Sequence, residues 1–201
     1  TRYYTEEGTP PGRWLGSAVP ALGGRTITVG DEVSELQLQR LIGQGRDPVT
    51  RQALGSPYRK YPTVTERIEH RTLRLDADLP VTERADAVAT IAAEESARGV
   101  RKAVAGFDFT FSVPKSASVL WAVSDAGTQS LIADAHHAAV AEMVAFIERE
   151  VAATRVGAAG RNGAVAQADV SGVIATAFDH YDSRAGDPHL HTHVVISNKV
   201  Q

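Results

Sequence analysis

The chain has 201 residues, a hydrophobic fraction of 43%, a charged fraction of 22% and a formal net charge of −3. This composition excludes a wholly disordered chain, a collagen and a coiled coil, and no apolar run reaches the roughly 18 residues that a membrane span requires. Because cysteine is absent, disulfides and thiolate metal sites are excluded, and any metal must be held by nitrogen or oxygen ligands.

The first half of the chain alternates irregular and helical patterns. Residues 5–30 are rich in glycine and proline, which predicts a loop with short extended pieces. A helix is predicted over 31–42, with Asp31 as its cap, followed by a second irregular stretch over 43–65. A stronger helix is predicted over 82–98, between a capping threonine and a terminating glycine.

The second half begins with a change of period. Phe107, Phe109 and Phe111 alternate with polar residues, which predicts a half-buried, central strand over 107–113 with the phenylalanines inward. Helices are predicted over 116–123 and 129–153, and strands over 165–170, 173–180 and 190–197, with turns over 157–163 and 183–188. The apolar stripe of the long helix is predicted to comprise Leu131, Ala135, Ala138, Met143, Phe146 and Ile147. Because the last two strands form a hairpin, we expect an α+β fold with a mainly antiparallel sheet covered by helices on one face.

Four of the seven histidines fall between residues 180 and 193. His191 and His193 share one face of the last predicted strand, and the alternate, mainly apolar residues favour the core, so the histidines should face a more open surface. Pairing of the last two strands would bring His180 beside them. Three neutral imidazoles on rigid strands predict a divalent-metal site with open positions. His189 lies on the same face, and spacing alone leaves it as a competing ligand.

Two further residue types are candidates for chemistry. Asp108 stands between two phenylalanines, where it could accept a hydrogen bond from a metal-bound histidine or take a proton from a nucleophile. Its structural alternative is a solvated carboxylate, or one paired with Arg101 or Lys102. Tyr3 and Tyr4 are either packing anchors or, in combination with a metal site, a source of the nucleophile.

Three segments resemble the TrwC/TraI-like conjugative relaxases, the MobF class: YYTEEGTPPGRWLGS at 3–17, FDFTFSVPKSASVLWAV at 107–123 and HYDSRAGDPHLHTHVVISN at 180–198. These matches are spread over nearly the whole chain in the family's order. The resemblance implies a palm-like antiparallel sheet flanked by helices, shared with rolling-circle replication initiators. It also implies site- and strand-specific nicking at an origin of transfer, in which a tyrosine becomes linked to the 5′ phosphate and a 3′ hydroxyl is released.

The resemblance also assigns roles to residues. The family's metal-binding histidines fall on His180, His191 and His193, which settles the choice against His189, and its acid falls on Asp108. The tyrosine region falls on Tyr3 and Tyr4, which resemble the second of two tyrosine pairs that family members can carry.

The chain begins with threonine and stops soon after the metal-bearing strand, so we expect 1–201 to be a partial relaxase domain, truncated at both ends. A first tyrosine pair would precede Thr1. No Gly-x-x-x-x-Gly-Lys-Ser/Thr phosphate loop is present, so a helicase of the kind that often follows in this family would belong to the full chain.

The expected cofactor is a divalent ion, Mg²⁺ or Mn²⁺, and the expected partner is single-stranded DNA at a transfer origin. Accessory relaxosome and secretion-coupling proteins are further expected partners, in the bacterial cytoplasm. Candidate DNA contacts are Arg101, Lys102, Lys115 and Arg184 for phosphates and Trp14 for base stacking, against the alternatives of surface charge and core packing.

Three other functions stay open at this stage. A rolling-circle replication initiator shares the histidines and the tyrosine, but acts at a replication origin. A non-catalytic fragment that binds single-stranded DNA would form no covalent adduct. A non-haem iron oxygenase needs a carboxylate ligand, which Asp182 or Asp187 would have to supply.

Overall fold

The computed structural model describes residues 10–157 and 165–200, and the following statements refer to those residues. Tyr3 and Tyr4 lie outside them. The chain divides into two compact units: a sheet unit, Thr1–Pro57 with Ala105–Gln201, and a helical unit, Tyr58–Val104. In sequence, the helical unit is therefore one continuous segment inserted between the two segments that form the sheet unit.

The sheet unit is built on five antiparallel strands. They are β1 (Gly12–Leu15), β2 (Glu32–Val33), β3 (Gly106–Ser112), β6 (Val173–Asp182) and β7 (Pro188–Val200), in the spatial order β2-β1-β6-β7-β3. Two further strands, β4 (Ala153–Gly157) and β5 (Val165–Asp169), pair with each other. The expected α+β fold with a mainly antiparallel sheet is confirmed, and β4 is an element that the helical pattern over 129–153 did not predict.

Five α-helices accompany these strands: α1 (Glu35–Leu38), α2 (Val64–Thr72), α3 (Val81–Ala97), α4 (Lys115–Val123) and α5 (Ala126–Glu150). The helix expected over 31–42 starts later, because β2 occupies its first residues. Ser34 caps α1 in a reciprocal pair of hydrogen bonds with Gln37, and a π-helical turn, Gln39–Gly43, follows α1. The sequence did not predict α2, although Thr63 and Glu66 form the same kind of capping box.

Both faces of the sheet are covered, which corrects the expectation that helices cover one face only. On one face α5 packs through a buried stripe of His136, Val140 and Val144. The stripe predicted from sequence was wrong in part, since Leu131 is 72% exposed. On the other face residues 19–41, which include a 3₁₀ helix (Val19–Gly24) and α1, pack against Trp14 and Phe178. β6 and β7, which carry the predicted metal ligands, thus lie between two cores, one on each face of the sheet.

β3 lies at the edge of the five-stranded sheet and is not central as expected. It pairs with β7 alone among the described strands. Its phenylalanines point towards the α5 side, but Phe107 is 52% and Phe109 39% exposed, because an edge strand has a neighbour on one side only. Asp108 lies on the opposite face, with its side chain 38% exposed.

Within the described residues, α5 alone is long and apolar enough to cross a membrane, with a mean hydropathy of 1.2. Length and composition by themselves are weak evidence for a span, because the core helix of a soluble protein passes the same test.

Candidate metal centre

A hairpin of β6 and β7 sets the geometry of the site. The connecting residues 183–187 close through a hydrogen bond from the Ser183 amide to the Asp187 carbonyl, 2.9 Å long, and Gly186 adopts a φ of 76° that favours glycine. This turn places His180 directly opposite His191 in the antiparallel register. Residues opposite each other in such a pair project from the same face, so the two imidazoles are neighbours.

His180, His191 and His193 form a compact triangle. Their ring centroids are 5.1 to 5.3 Å apart, and one ligand nitrogen from each ring lies within 4.8 Å of the others. His191 is 6% and His193 9% exposed, so the site is more enclosed than the open surface expected from the strand pattern. Three imidazole nitrogens converging from two rigid strands are a donor set that fits one divalent metal ion.

Hydrogen bonds orient two of these rings. The Nδ1 of His191 lies 2.7 Å from the carbonyl oxygen of His189, which selects the tautomer with the proton on Nδ1. The Nδ1 of His193 lies 3.0 Å from one carboxylate oxygen of Asp108 and 3.2 Å from the other. With Nδ1 donating, the Nε2 of each ring keeps its lone pair for a metal.

The protonation state of the site also suits metal binding. Burial lowers the pKa of His180 and the pKa of His191, and the neighbouring imidazoles, which would repel a second positive charge, lower both further. Both rings are therefore neutral at pH 7, which is the form that binds a metal.

Other candidate ligands stand outside the triangle. The ring of His189 stacks on His191 at a centroid distance of 4.6 Å and is not one of the three converging groups. Asp187 accepts hydrogen bonds from Lys115 and from Ser183. Among the described residues, no carboxylate converges with the three histidines, and Asp182 is no exception. The carboxylate ligand that a non-haem iron oxygenase would need is therefore not part of this cluster.

A second polar cluster, the rear network, lies on the opposite face of the same two strands. Thr192 donates a hydrogen bond of 2.5 Å to Asp179, and His136 of α5 lies 2.9 Å from the Thr192 hydroxyl. Arg13 of β1 and His137 of α5 contact the same Asp179 carboxylate at 2.5 and 2.9 Å. The rear network therefore connects β1, β6, β7 and α5. Two of its members, Asp179 and Thr192, are adjacent in sequence to the three converging histidines.

The charge of Asp179 is stabilised by these donors. Burial alone would raise the pKa of Asp179, but hydrogen bonds from His137, Arg13 and Thr192 outweigh it and hold the pKa well below its usual range. Burial lowers the pKa of His136. Because the Thr192 hydroxyl donates its proton to Asp179, it accepts a hydrogen bond from Nε2 of His136. The sequence analysis missed these residues, although the polar Asp179 and Thr192 on an otherwise apolar strand face are a signal that could have indicated a buried network.

The residues predicted to contact DNA differ in burial and in the contacts that they make. Trp14 is 0% exposed and packs in the core, which corrects the expectation that it could stack on a base. Lys115 contacts Asp187 and the carbonyl of Pro188, so it braces the hairpin turn. Arg184 is exposed in that turn, and Arg101 and Lys102 are exposed in the helical unit.

Comparisons with known proteins found sequence relatives and solved structures similar to this chain. Two relatives are named Multifunctional conjugation protein TraI. One, from Escherichia coli, is 40% identical over 103 residues, 51% of this chain and 6% of that protein; the other, from strain K12, is 38% identical over 96 residues, 48% and 5% respectively. This chain therefore spans a small part of the relatives' length.

Solved structures show the same fold. Conjugative relaxase TrwC in complex with oriT DNA matches in a metal-bound form with a TM-score of 0.57 and 22% identity, covering 98% of this chain and 51% of that one. The metal-free complex matches with a TM-score of 0.56 and 23% identity, covering 98% and 50%. The family description "TrwC relaxase" matches residues 1–201, and the chain therefore belongs to the TrwC relaxase family.

Proposed function

We propose that this chain is the nicking part of a conjugative relaxase, which cuts one DNA strand at an origin of transfer through a covalent tyrosine intermediate. The observation that carries the proposal is the convergence of three imidazoles, with the Asp108 carboxylate hydrogen-bonded to one of them. Family membership supports the DNA substrate, since the TrwC structures are complexes with oriT DNA.

The histidines and Asp108 have separate roles in this proposal. His180, His191 and His193 would hold the ion, and a bound divalent metal would neutralise charge that develops on the scissile phosphate. Asp108 fixes the tautomer and orientation of His193 through the hydrogen bond to Nδ1. The rigid hairpin keeps the donor nitrogens in place before substrate arrives, which lowers the cost of organising the site.

Tyr3 or Tyr4 supplies the nucleophile. The phenolic oxygen forms a bond to phosphorus as the bond between phosphorus and the 3′ oxygen breaks, so the 5′ phosphate becomes attached to tyrosine. The phenol loses its proton and the departing 3′ oxygen gains one, which conserves charge and atoms. Because the phosphotyrosine ester retains a reactive phosphodiester, the strand can be rejoined without ATP.

The three imidazole nitrogens indicate which class of metal ion the site would bind. Of the two ions expected from the sequence, Mn²⁺ matches three imidazoles better, because Mg²⁺ prefers oxygen ligands and dehydrates reluctantly. Later first-row metals bind nitrogen donors more tightly still. We therefore assign the site to a first-row transition metal.

The wider context follows from the relatives and is part of the proposal. The substrate is single-stranded DNA at a transfer origin, handled in the bacterial cytoplasm together with relaxosome and secretion-coupling proteins. The name of the TraI relatives, multifunctional conjugation protein, fits a helicase in the full chain. A rolling-circle initiator would instead prefer a replication origin over a transfer origin, and a competition assay with both oligonucleotides separates the two.

A covalent-adduct assay tests the proposal. The full-length protein is incubated with Mn²⁺ and a 5′-labelled or 3′-labelled single-stranded transfer-origin oligonucleotide, then run on a denaturing gel. We expect only the 3′-labelled oligonucleotide to migrate with the protein, because the tyrosine becomes linked to the 5′ end of the fragment that lies 3′ to the cut and keeps the 3′ label. Any tyrosine pair that precedes Thr1 is first replaced by phenylalanine, and Tyr3→Phe combined with Tyr4→Phe should then remove that adduct. An adduct that persists in the double variant of a protein with no further tyrosine pair would contradict the assignment of the nucleophile.

Substitutions of Asp108 separate its two candidate roles. Asp108→Asn keeps a carbonyl oxygen that accepts from His193 Nδ1, whereas Asp108→Ala removes the acceptor. If Asp108 orients His193, the alanine variant should bind Mn²⁺ about 10 to 100 times more weakly, and the asparagine variant should recover most of that affinity. Mn²⁺ affinity is measured by titration calorimetry and cleavage by single-turnover kinetics. Equal Mn²⁺ affinity with equally slow cleavage in both variants would instead favour a proton acceptor.

A further inference from the structure

The helical unit contains a groove outside the metal centre. It consists of two adjoining cavities of about 680 and 420 Å³. Tyr61, Pro62, Arg67 and Arg98 line both cavities and form their common wall. This feature, the helical groove, lies within Tyr58–Val104.

A buried carboxylate organises the guanidinium groups of the groove. Glu95 of α3 is 1% exposed and accepts hydrogen bonds from Arg67 at 2.8 Å, Arg71 at 2.9 Å and Arg98 at 3.1 Å. These hydrogen bonds, that of Arg67 foremost, lower the pKa of Glu95 to about 2. Glu94 pairs with Arg71 at 2.7 Å. Three arginines are thus held in place by a carboxylate that stays charged at any ordinary pH.

The remaining charges of the groove are mostly positive. Five cationic side chains line its two cavities, against the two carboxylates Glu66 and Glu95. The Glu66 carboxylate is occupied by the Thr63 capping box at the start of α2. The cations at the rim are Lys60 and Arg101, both exposed, together with Arg98, which contacts Glu95 and is still 72% exposed. A cationic groove on a chain of net charge −3 is a local feature that favours an anionic ligand.

An aromatic ring stands at the junction of the two cavities. Tyr61 is half-buried, and the Arg59 guanidinium lies 5.3 Å from its ring centroid. Cationic side chains that follow a backbone, combined with an aromatic platform for a base, are the recurring elements of single-stranded nucleic acid sites.

We infer that the helical groove is a second binding site for single-stranded DNA, in which Lys60, Arg98 and Arg101 contact successive phosphates and Tyr61 stacks on a base. The choice of DNA rests on the proposed function. Two cavities that share one wall suit a chain of linked phosphates better than a single free phosphate, which would occupy one of them. The three converging histidines are not part of this unit, so the groove contains none of the proposed metal ligands.

Fluorescence anisotropy with a labelled oligothymidylate tests the inference. The full-length protein is titrated in EDTA, so that metal at the histidine triangle does not contribute. We expect Lys60→Ala combined with Arg101→Ala to weaken binding about tenfold at low salt. The slope of log affinity against log salt should fall by about 1.4, or about 0.7 for each phosphate that is no longer neutralised. Tyr61→Ala should weaken binding about tenfold and Tyr61→Phe should restore it, because stacking needs the ring and not the hydroxyl.

A charge-matched control isolates the groove from net charge. Arg74→Ala combined with Arg149→Ala also removes two exposed cations, and neither residue lines the groove. This control should keep the wild-type affinity and salt slope. Equal losses in the control and the groove variant, or wild-type binding by the groove variant, would overturn the inference. Displacement of the oligonucleotide by excess inorganic phosphate at constant ionic strength would also overturn the inference. That result would instead indicate a site for a free anion.

The outcome is independent of the nicking proposal. Groove variants that lose binding in EDTA support the inference even if no tyrosine adduct forms with Mn²⁺. Conversely, an adduct that forms normally while the groove variants bind like the wild type leaves the nicking proposal intact and removes the second site.

Discussion

His191→Ala and His193→Ala are each expected to abolish metal binding and metal-dependent cleavage of a transfer-origin oligonucleotide. Each substitution removes one of three converging donors from a site whose nitrogens lie within 4.8 Å of one another. Two imidazoles cannot replace the missing coordination, so Mn²⁺ affinity should fall by more than about 100-fold, beyond the range for partners that only orient a ligand. Titration calorimetry measures the affinity and a denaturing gel the cleavage.

His189→Ala is the matched control for this prediction. His189 stacks on His191 in the same strand but is not one of the converging donors. The control should therefore retain Mn²⁺ binding, and Mg²⁺ should bind all variants more weakly than Mn²⁺ binds the wild type. Full cleavage by both His191→Ala and His193→Ala, or loss of Mn²⁺ binding in His189→Ala alone, would show that the ligands have been wrongly assigned.

Asp179→Ala is expected to lower the free energy of unfolding by about 3 kcal/mol, because it leaves Arg13, His137 and Thr192 without their shared acceptor. The Asp179 side chain is 7% exposed, so water is a poor substitute for the carboxylate. Mn²⁺ affinity should also fall, since Asp179 precedes His180 and pairs across the hairpin with Thr192. Urea denaturation followed by circular dichroism measures the stability, with Asp134→Ala as an exposed control on α5.

The same substitution carries a pH dependence of defined sign. The folded-state pKa of Asp179 is lowered, so its charged form stabilises the fold fully above the unfolded pKa of about 4, and this contribution is lost as the pH falls below it. The stability difference between wild type and Asp179→Ala should therefore be largest near neutral pH and should shrink on acidification. A difference that stays constant from pH 7 to pH 3 would mean that the carboxylate acts through packing and not through charge.

Local pattern was sufficient for the elements whose periodicity is strong. The alternation over 107–113 predicted β3 to within one residue, and the turn residues after His180 predicted the hairpin that brings the metal ligands together. The same reasoning placed β3 in the centre of the sheet and its phenylalanines in the core. Strand order depends on pairing between distant segments, which no local period encodes, and the edge position of β3 left those rings half-exposed.

The sequence pattern by itself predicted a histidine cluster on this hairpin, because His191 and His193 share one strand face and His180 lies across a short turn. Spacing left His189 as a competing ligand, and the converging side chains are those of His180, His191 and His193. Only the tertiary structure decided which residues form hydrogen bonds with these histidines and with the strands that carry them. Asp108 reaches His193 from a strand 85 residues away, and the rear network gathers Asp179 and Thr192 with residues of β1 and α5. Such interactions depend on strand register and on which helix covers which face. These are set by packing of the whole sheet unit, whereas a sequence pattern reports only the neighbours along the chain.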